Sequence, residues 1–518
     1  MNDAVGTMSG EGSRTDSRPG PVAVDRADPR YADLVGRGIN ARFRADPETI
    51  QVVGATEHVV RVMEEVARQG KRVGIRSGGH CFEGLVDNPA VEVVLDISEM
   101  NAVYFDASRR AFAVEAGATL GAMYRTLFLG WGVTVPAGRC PGIGVGGHVV
   151  GGGGGALSRR YGLSVDHLYA VEVVVVDASG QVGSVVATRE PDDPNRDLWW
   201  AHTGAGGGNF GVVTRYWFRS PDARPNTPES LLPSPPSAVL KKSARWQWAD
   251  LNEEAFRRLV GNFGWWHEHN SAAGCPGVHL DNGLTLPRAA GGPITLETSV
   301  DAGRRDGDEL TDEFIAAVNR DVGVLPEVEV ATTPWLTLTL TPDEYAGVSG
   351  RFKSKVAFLR TSWADEQITG LYRHLTDSDY QNPAAAVYLL SHGGRINAVR
   401  PADTAMPHRD AVLKAYWSVF WFDSREDDVH LRWIRDSYRE VFADAGGVPD
   451  PDAVYAGAFI NYADADLVDP ALNTSGVPWH RLYYRDSYSR LQQVKARWDP
   501  RNVFRHALSI SAAGDSGS

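Results

Sequence analysis

Residues 138–155, with the sequence GRCPGIGVGGHVVGGGGG, carry more information about the fold than any other stretch of this chain. Ten of these eighteen residues are glycine, and Cys140 stands near the start of the run. Glycine loses more conformational freedom on folding than any other residue, so such a run is costly unless the backbone has a task. A bare backbone can press against a flat or phosphorylated ligand with its N–H groups facing it. The stretch therefore predicts a cradle for a cofactor rather than a linker.

Composition and charge limit the class of protein. At 518 residues the chain is too long for one core, and we expect two or three domains. The hydrophobic fraction of 43% and the 15 tryptophans are sufficient for large cores. A net charge of −13 argues against a nucleic-acid partner and against an anionic membrane surface. The chain has three cysteines, Cys81, Cys140 and Cys275. A number that is both small and odd does not indicate a disulfide framework.

The start of the chain indicates its location. The first twenty residues lack the apolar segment of a signal peptide, and no stretch of the chain approaches the ~20 apolar residues that span a bilayer. We therefore expect a disordered tail over residues 1–30, a cytoplasmic location and no membrane partner.

Local patterns divide the remainder into three parts. Helices and short strands alternate over residues 31–222, and six prolines between residues 220 and 237 mark a boundary. Residues 238–450 form a second domain with long helical stretches and extended segments, and residues 451–518 form a closing segment. The pattern predicts helices at 56–70, 120–129, 252–267, 428–442 and 488–498, and extended segments at 72–75, 91–97, 171–176 and 334–340.

The glycine run contains a formal G-x-G-x-x-G match from Gly142 to Gly147, followed by Asp166 about twenty residues later. A dinucleotide-binding site of that type needs a helix that starts at the last glycines and points its N-terminus at the pyrophosphate. Each of the glycines that follow would cost such a helix ~1 kcal/mol relative to alanine, which disfavours this interpretation. No Gly-Lys-Ser/Thr follows either, which excludes a Walker-type phosphate loop.

Two further glycine-rich loops accompany the first. Residues 76–81, RSGGHC, follow a predicted strand and form a turn that can bind an anion. Residues 204–211, GAGGGNFG, lead into another predicted strand. Three such loops within ~140 residues exceed what ordinary turns require, and together they predict one large, extended ligand held along the backbone.

Two reactive side chains lie inside these loops, His80 and Cys140. A lone histidine is more often a hydrogen-bonded core or surface residue, and a lone cysteine a small buried hydrophobe. Their shared placement in glycine loops favours a role toward the ligand. Zinc-like ligand spacing is missing, and the H-E-H at residues 267–269 would direct its histidines to different helix faces, so we expect no metal.

These residues are similar to a known family. RSGGH at 76–80 and GRCPGIGVGGH at 138–148 resemble the two flavin-attachment loops of berberine bridge enzyme-like oxidases, in the vanillyl-alcohol oxidase superfamily. DLWWAHTGAGGGNFGVVT at 197–214 resembles a third flavin-contacting segment, and residues 459–467 and 490–510 resemble the closing segment. The similarity covers nearly the whole chain after residue ~30, and it is greatest to oxidases of secondary metabolism.

The resemblance implies an α+β fold and a covalently held cofactor. A PCMH-type FAD-binding domain of two α/β subdomains would be joined to a substrate domain with a mostly antiparallel sheet backed by helices, and residues 451–518 would return to the FAD domain. FAD would be linked to His80 through its 8α carbon and to Cys140 through C6. Further flavin contacts are expected from Arg76, Ser77, Gly78, Gly79, Cys81, Gly142, Val145, Gly146, Gly147, His148, Gly151, Gly207, Asn209, Val213, Asn461, Tyr462 and Asn502.

The chemistry of a flavin defines what else is needed. Flavin accepts a hydride at N5, so the protein must remove a hydroxyl proton and position the C–H bond. Tyr462 matches the family's base position, although a phenol with an ordinary pKa of ~10 needs help from its neighbours. Relatives commonly have tyrosines where this chain has Gly154 and His392. His392 is either a second candidate base, because its ordinary pKa is near neutrality, or a hydrogen-bonded histidine without a catalytic role.

The leading hypothesis is an FAD-dependent oxidase that converts a hydroxyl of a sugar, hemiacetal or alcohol in a natural product or glycoside, with O2 as acceptor and H2O2 as product. One alternative keeps the flavin but performs oxidative cyclisation or C–C bond formation. Another is a tryptophan-rich carbohydrate-binding protein without catalysis. A homo-oligomer is compatible with each hypothesis.

Overall fold

A computed structural model describes residues 20–224, 227–342 and 349–512. The first half contains two sheets with short helices around them. Its strands are β1 Val22–Asp25, β2 Thr49–Val52, β3 Val73–Arg76, β4 Val93–Asp96, β5 Val103–Asp106, β6 Ala111–Glu115, β7 Leu168–Val176, β8 Val182–Thr188 and β9 Val212–Phe218. Its helices are α1 Tyr31–Val35, α2 Thr56–Gln69, α3 Leu120–Trp131, α4 Val145–Val150, α5 Ser158–Tyr161 and α6 Arg196–Ala201.

The two sheets of this half differ in strand direction. The 4-stranded sheet has the order β1-β2-β4-β3; β4 runs parallel to β2 and β3, and β1 is antiparallel to β2. The 5-stranded sheet has the order β5-β6-β9-β7-β8 and is antiparallel throughout. α2 lies between them: its buried residues Val59, Val62 and Val66 recur at helical spacing, and Gly70 ends it in the left-handed conformation.

The second half is built on one large antiparallel sheet. Its 8 strands have the order β13-β10-β12-β11-β15-β16-β14-β17, and one face packs against α7, α8, α10 and α11. The strands are β10 Ala238–Trp246, β11 Asp281–Pro287, β12 Ile294–Asp301, β13 Glu327–Pro334, β14 Arg351–Leu359, β15 Ala385–Ser391, β16 Leu413–Trp421 and β17 Tyr455–Gly457. The helices are α7 Glu253–His269, α8 Gly307–Val318, α9 Trp335–Leu340, α10 Asp365–Thr376, α11 Asp427–Val441, α12 Trp479–Tyr484 and α13 Tyr488–Trp498.

The expected fold class is confirmed: a mixed α/β first half is joined to a large antiparallel sheet backed by helices. β9 ends and β10 begins on either side of the proline-rich boundary. The domain limits 31–222, 238–450 and 451–518 stay predictions, and β17 shows that the closing segment begins by pairing with the large sheet. No helix within the described ranges is both long and apolar enough to cross a membrane.

Three local predictions are wrong. Val22–Asp25 forms β1 against β2, so the expected tail over 1–30 contains ordered structure; residues 1–19 lie outside the described residues. Residues 335–340 form α9 rather than an extended segment, because Trp335 and Thr339, one helical turn apart, are both buried beside α3. The glycine run does contain a helix, α4, although it has only 6 residues.

The closing segment is tied to the cofactor-binding half by a buried lysine on α13. The Lys495 ammonium donates to the carbonyl of Asn209 at 2.8 Å, to that of Phe504 at 2.6 Å and to the Asp499 carboxylate at 2.6 Å. Both charged side chains are inaccessible to solvent, at 1% and 0%. Since Asn209 belongs to the third glycine loop, this lysine fixes that loop to the end of the chain.

We expect Lys495→Met to lower the stability of the protein by about 3–5 kcal/mol, because it leaves the Asp499 carboxylate buried without its cation. The midpoint of urea unfolding, followed by tryptophan fluorescence, measures the effect. Lys241→Met is the control, since Lys241 is 42% exposed and its ion pair with Glu297 is screened by water. Equal midpoints for the two variants would contradict the role of Lys495.

Candidate active site

One cavity of about 480 Å³ lies between the glycine loops and the open face of the large sheet. Its volume is in the usual range for a site that holds a cofactor or a small molecule. Both His80 and Cys140 line it. So do most of the other residues that the sequence singled out, namely Arg76, Ser77, Gly78, Gly79, Cys81, Gly146, Gly147, His148, Gly207, Asn209, Val213, His392, Asn461 and Tyr462.

The first two glycine loops touch backbone to backbone. A Cβ on Gly78 would lie 2.4 Å from the Gly144 nitrogen, and a Cβ on Gly144 would lie 2.3 Å from the Gly78 nitrogen. No other residue type fits at either position without a shift of the backbone. In the same region, a Cβ on Gly142 would lie 3.4 Å from His80 Nε2. The His80 ring therefore lies beside the loop that carries Cys140.

The closing segment completes the wall. Asn461 packs so closely on Gly151 that a Cβ there would lie 1.9 Å from its Oδ1. A Cβ on Gly206, in the third loop, would lie 2.8 Å from Ile460. Residues 460–462 form a single 3-10 turn, which presents Tyr462 to the cavity. Glycine loops and the chain end are thus in direct contact around one space.

His148 holds two of these segments together. The Gly138 N–H donates to His148 Nε2 at 3.1 Å, and Asn461 Nδ2 donates to the His148 carbonyl at 2.8 Å. Because Nε2 is the acceptor, the ring has to be neutral with its proton on Nδ1. Burial lowers the pKa of His148 to about 4, which is consistent with that state.

The two cysteines near the cavity have different surroundings. Burial raises the pKa of the Cys81 thiol to about 11, and its Sγ donates to the Glu83 carbonyl at 3.1 Å. A raised pKa reduces the thiolate fraction, which is the reactive form of a cysteine. Both cysteines are partly exposed, and Cys140 lies at a proline-containing turn on the cavity wall. Of the two, Cys140 has the position for a covalent anchor.

Tyr462 is enclosed by aromatic rings. The rings of Phe82 and Tyr416 meet it edge to face at 5.1 and 5.0 Å, and Phe459 lies 5.7 Å away. Burial raises the pKa of the Tyr462 phenol above its usual value. The nearby Arg139 guanidinium opposes this rise but does not cancel it. A base at this position therefore needs positive charge close to it.

Sequence reasoning missed the residue that supplies this charge, Lys414 on β16. Its Nζ lies 4.7 Å from the centroid of the Tyr462 ring, and burial lowers the pKa of Lys414 to about 8. Close by, the Arg139 guanidinium forms an ion pair with Asp281 on β11. All three line the cavity. A single charged residue inside the apolar strand sequence VLKAYWSVFW was the signal that could have identified Lys414.

His392 lines the cavity but is held within the protein. Its Nε2 donates to the His408 carbonyl at 3.2 Å, and its ring packs against Phe358 at 4.9 Å. Burial lowers the pKa of His392 to about 3, so the ring is a weak proton acceptor. Of the two roles that the sequence left open, this environment favours a hydrogen-bonded histidine.

Four residues expected to contact the cofactor do not line the cavity. Val145 is fully buried in the core, Gly142 packs toward His80, Gly151 packs on Asn461, and Asn502 is an exposed residue with a φ of 51°. Gly154 does line the cavity, and a Cβ there would lie 2.9 Å from Leu163. A tyrosine at that position would therefore require Leu163 to move.

The site fits a flat, extended cofactor. Glycines let the backbone approach closely along three loops, and the two potential covalent anchors share one wall. The described residues contain no group of three or more histidines, cysteines or carboxylates arranged to hold a metal ion. The polar side chains near Tyr462, namely Lys414, Arg139 and Asp281, can donate or accept hydrogen bonds.

Comparison with known proteins also indicates a flat, extended cofactor and identifies it as FAD. Residues 47–185 match the family described as FAD binding domain, and residues 458–511 match the family described as berberine and berberine like. These two segments contain the first two glycine loops and the turn that carries Tyr462.

Individual proteins match over nearly the whole chain. Aclacinomycin-N/aclacinomycin-A oxidase of Streptomyces galilaeus is 52% identical over 505 residues, which is 97% of this chain and 92% of the relative. The crystal structure of aclacinomycin oxidoreductase superposes with a TM-score of 0.93 and covers 95% of this chain and 100% of its own. A glycopeptide hexose oxidase complexed with teicoplanin has a TM-score of 0.91 at 48% identity, with 95% and 99% coverage. The chain therefore belongs to the berberine bridge enzyme-like family of FAD-linked oxidases.

Proposed function

We propose that this oxidase removes a hydride from a hydroxyl-bearing carbon of a natural product or glycoside and a proton from its hydroxyl group, with Tyr462 as the base that accepts the proton. The observation that carries the proposal is the placement of Tyr462, with the Lys414 ammonium above its ring, on the cavity wall that also contains His80 and Cys140. This arrangement combines a proton acceptor with a cofactor site.

The substrate class is supported by two observations. The two solved relatives described above are an oxidoreductase named for aclacinomycin and a hexose oxidase complexed with a glycopeptide. In this chain the cavity wall opposite the glycine loops comes from the large sheet and carries Asp281, Ser391 and Lys414. Polar side chains of this kind hydrogen-bond to hydroxyl groups, as a sugar or alcohol requires.

We further propose that FAD is linked to His80 through its 8α carbon and to Cys140 through C6. Both side chains line the cavity, and the approach of Gly142 to His80 Nε2 brings the two loops together. Two bonds would retain the cofactor in a site that is open to a bulky substrate.

The chain's own residues handle the proton. Tyr462 accepts the hydroxyl proton of the substrate, and the Lys414 ammonium favours the phenolate that this requires. The Arg139–Asp281 pair adds a donor and an acceptor that can orient the substrate. When bound, FAD supplies a two-electron acceptor at N5, which O2 restores with release of H2O2. The substrate loses one hydride and one proton, and its hydroxyl carbon becomes a carbonyl carbon.

The relatives do not favour the alternative of oxidative cyclisation, since the three described above are named as oxidases or oxidoreductases. Product analysis separates the two reactions, because a new carbonyl or lactone differs from a new ring. A cytoplasmic location remains a prediction from the sequence, which is also compatible with a homo-oligomer.

Tyr462→Phe should slow flavin reduction by about 10²–10⁴-fold, the usual contribution of a positioned base. The measurement is anaerobic bleaching of the flavin absorbance by aclacinomycin N and, separately, by teicoplanin. The flavin spectrum of the variant should stay close to that of the wild type. Tyr388→Phe is the control, because Tyr388 stacks on Tyr416 at 5.2 Å and is one ring further from the site. Unchanged reduction in Tyr462→Phe would assign the base to another residue.

His80→Ala and Cys140→Ala should each retain covalent flavin through the other anchor, and the double variant should retain none. Acid precipitation followed by an absorption spectrum of pellet and supernatant measures this. Yellow colour in the wild-type supernatant would refute covalent attachment. A colourless wild-type preparation would favour the carbohydrate-binding alternative. Loss of all covalent flavin from either single variant would contradict two independent anchors.

Lys414→Met should move the rising limb of the flavin-reduction rate to higher pH by about one unit, because loss of the cation raises the pKa of Tyr462. The difference should be largest below pH 8, where Lys414 carries its proton, and should shrink above that pH. Lys414→Arg, which keeps the charge, is the control. Identical pH profiles for Lys414→Met and the wild type would exclude this role.

A further inference from the structure

A buried cluster of charges lies directly behind the site. Lys353 on β14 forms ion pairs with Glu83 and with Asp464, the latter at 2.6 Å. The three side chains are 1%, 3% and 3% exposed. Burial of three charges is costly unless each is well paired, so a cluster of this kind is maintained by specific geometry.

A second layer balances the first. Asp464 also pairs with Lys355 at 2.6 Å, and Asp466 pairs with Lys355 at 3.0 Å and with both nitrogens of an Arg435 fork at 2.8 and 3.0 Å. Three cations and three carboxylates therefore alternate through the cluster. The surrounding cations lower the pKa of Asp466 far below its usual value, although burial opposes this.

The charged residues come from three segments that also meet through aromatic rings. Phe82, next to Glu83, is in edge-to-face contact with Phe352 at 5.0 Å and with Tyr462 at 5.1 Å. Phe352 precedes Lys353, and Tyr462 stands two residues before Asp464. The three rings and the three charged residues beside them therefore join the same three segments: the His80 loop, β14 and the turn that carries Tyr462.

Two of these pieces carry the chemistry proposed above. Glu83 stands three residues after His80, at the end of the loop that would hold the flavin. Asp464 stands two residues after the base, Tyr462. Lys353 is on the large sheet and touches both. The mechanism described above uses none of the six charged groups directly.

We propose that Lys353 is a positioning residue: its ammonium, held between Glu83 and Asp464, fixes the His80 loop and Tyr462 in one relative placement. The proposal rests on the proposed function, since it concerns the flavin anchor and the base. A misplacement of about 1 Å between reacting groups can reduce a rate by 10²-fold. An ion pair buried on both sides resists such a shift more strongly than a solvated one.

Charge-removing variants of similar shape separate the two contacts. Glu83→Gln releases the flavin loop, Asp464→Asn releases the base segment, and Lys353→Met releases both. Lys242→Met is the matched control, because Lys242 is a buried lysine on β10 of the same sheet that pairs with Asp308 and Asp312, away from the cavity. The midpoint of thermal unfolding records the general loss of stability in all four.

Two readouts on the holoenzyme test the proposal. Peptide mapping of protease digests measures the fraction of flavin attached at His80 and at Cys140, and anaerobic bleaching by aclacinomycin N gives the reduction rate per bound flavin. Glu83→Gln should lower the His80-linked fraction about tenfold and leave the Cys140-linked fraction. Asp464→Asn should retain both linkages and reduce about tenfold more slowly. Lys353→Met should show both defects.

Lys242→Met should lose stability with neither defect. If Glu83→Gln, Asp464→Asn and Lys353→Met all match Lys242→Met in both readouts, the positioning role is wrong while the proposed function stands. A wild-type protein without a His80-linked peptide would instead overturn the two-anchor proposal and this inference with it. Peptide mapping of the flavin linkages requires no substrate. It therefore still tests the role of Lys353 if neither compound reduces the flavin.

Discussion

The structure depends on the backbone contact between Gly78 and Gly144. Each glycine occupies the space where the other would place a Cβ, so the His80 loop and the Cys140 loop approach to a distance that no other residue pair permits. This contact makes one wall of two loops that are about sixty residues apart in the sequence. The third glycine loop and residues 460–462 then close on this wall, with Asn461 fixed to His148.

Burial controls the chemistry of the side chains around that wall. It lowers the pKa of His148 and of His392 and raises the pKa of Cys81 and of Tyr462, in each case by disfavouring the charged form. Lys414 is affected by the same burial but remains close to its titration point near pH 8. The same burial therefore shifts the two groups in opposite directions: it raises the pKa of the phenol and lowers that of the ammonium group. Side chains cannot pack into the cavity, because the cavity has to hold ligands. Buried ion pairs centred on Lys353 instead hold the His80 loop and the Tyr462 segment in place from behind.

Most of the site residues expected from the glycine run, the two further loops and the family resemblance do line the cavity. The α+β class and the large sheet backed by helices followed from the same patterns and are confirmed. Prediction failed where tertiary packing overrides a local pattern. The alternating residues 335–340 suggest a strand, yet burial against α3 makes them helical. Asp281 was missed because no motif marks it on its strand of the second half. Lys414 was missed because its local sign, a lone charge in an apolar strand, does not show what lies beside it.

The sequence by itself determined the cofactor class, through motifs that resemble those of a known family, and it supplied the two candidate anchors and the candidate base. These expectations depend on short stretches of glycine, cysteine and histidine that can be recognised locally. The tertiary structure decided which charges surround that base. Lys414, Asp281 and Lys353 come from three different strands of one sheet, and their distances to Tyr462 and to the flavin loop depend on how that sheet packs against the glycine loops. Strand register and long-range packing have no local signature, so only the folded chain reveals that Tyr462, the proposed base, has a cation above its ring and an ion pair behind it.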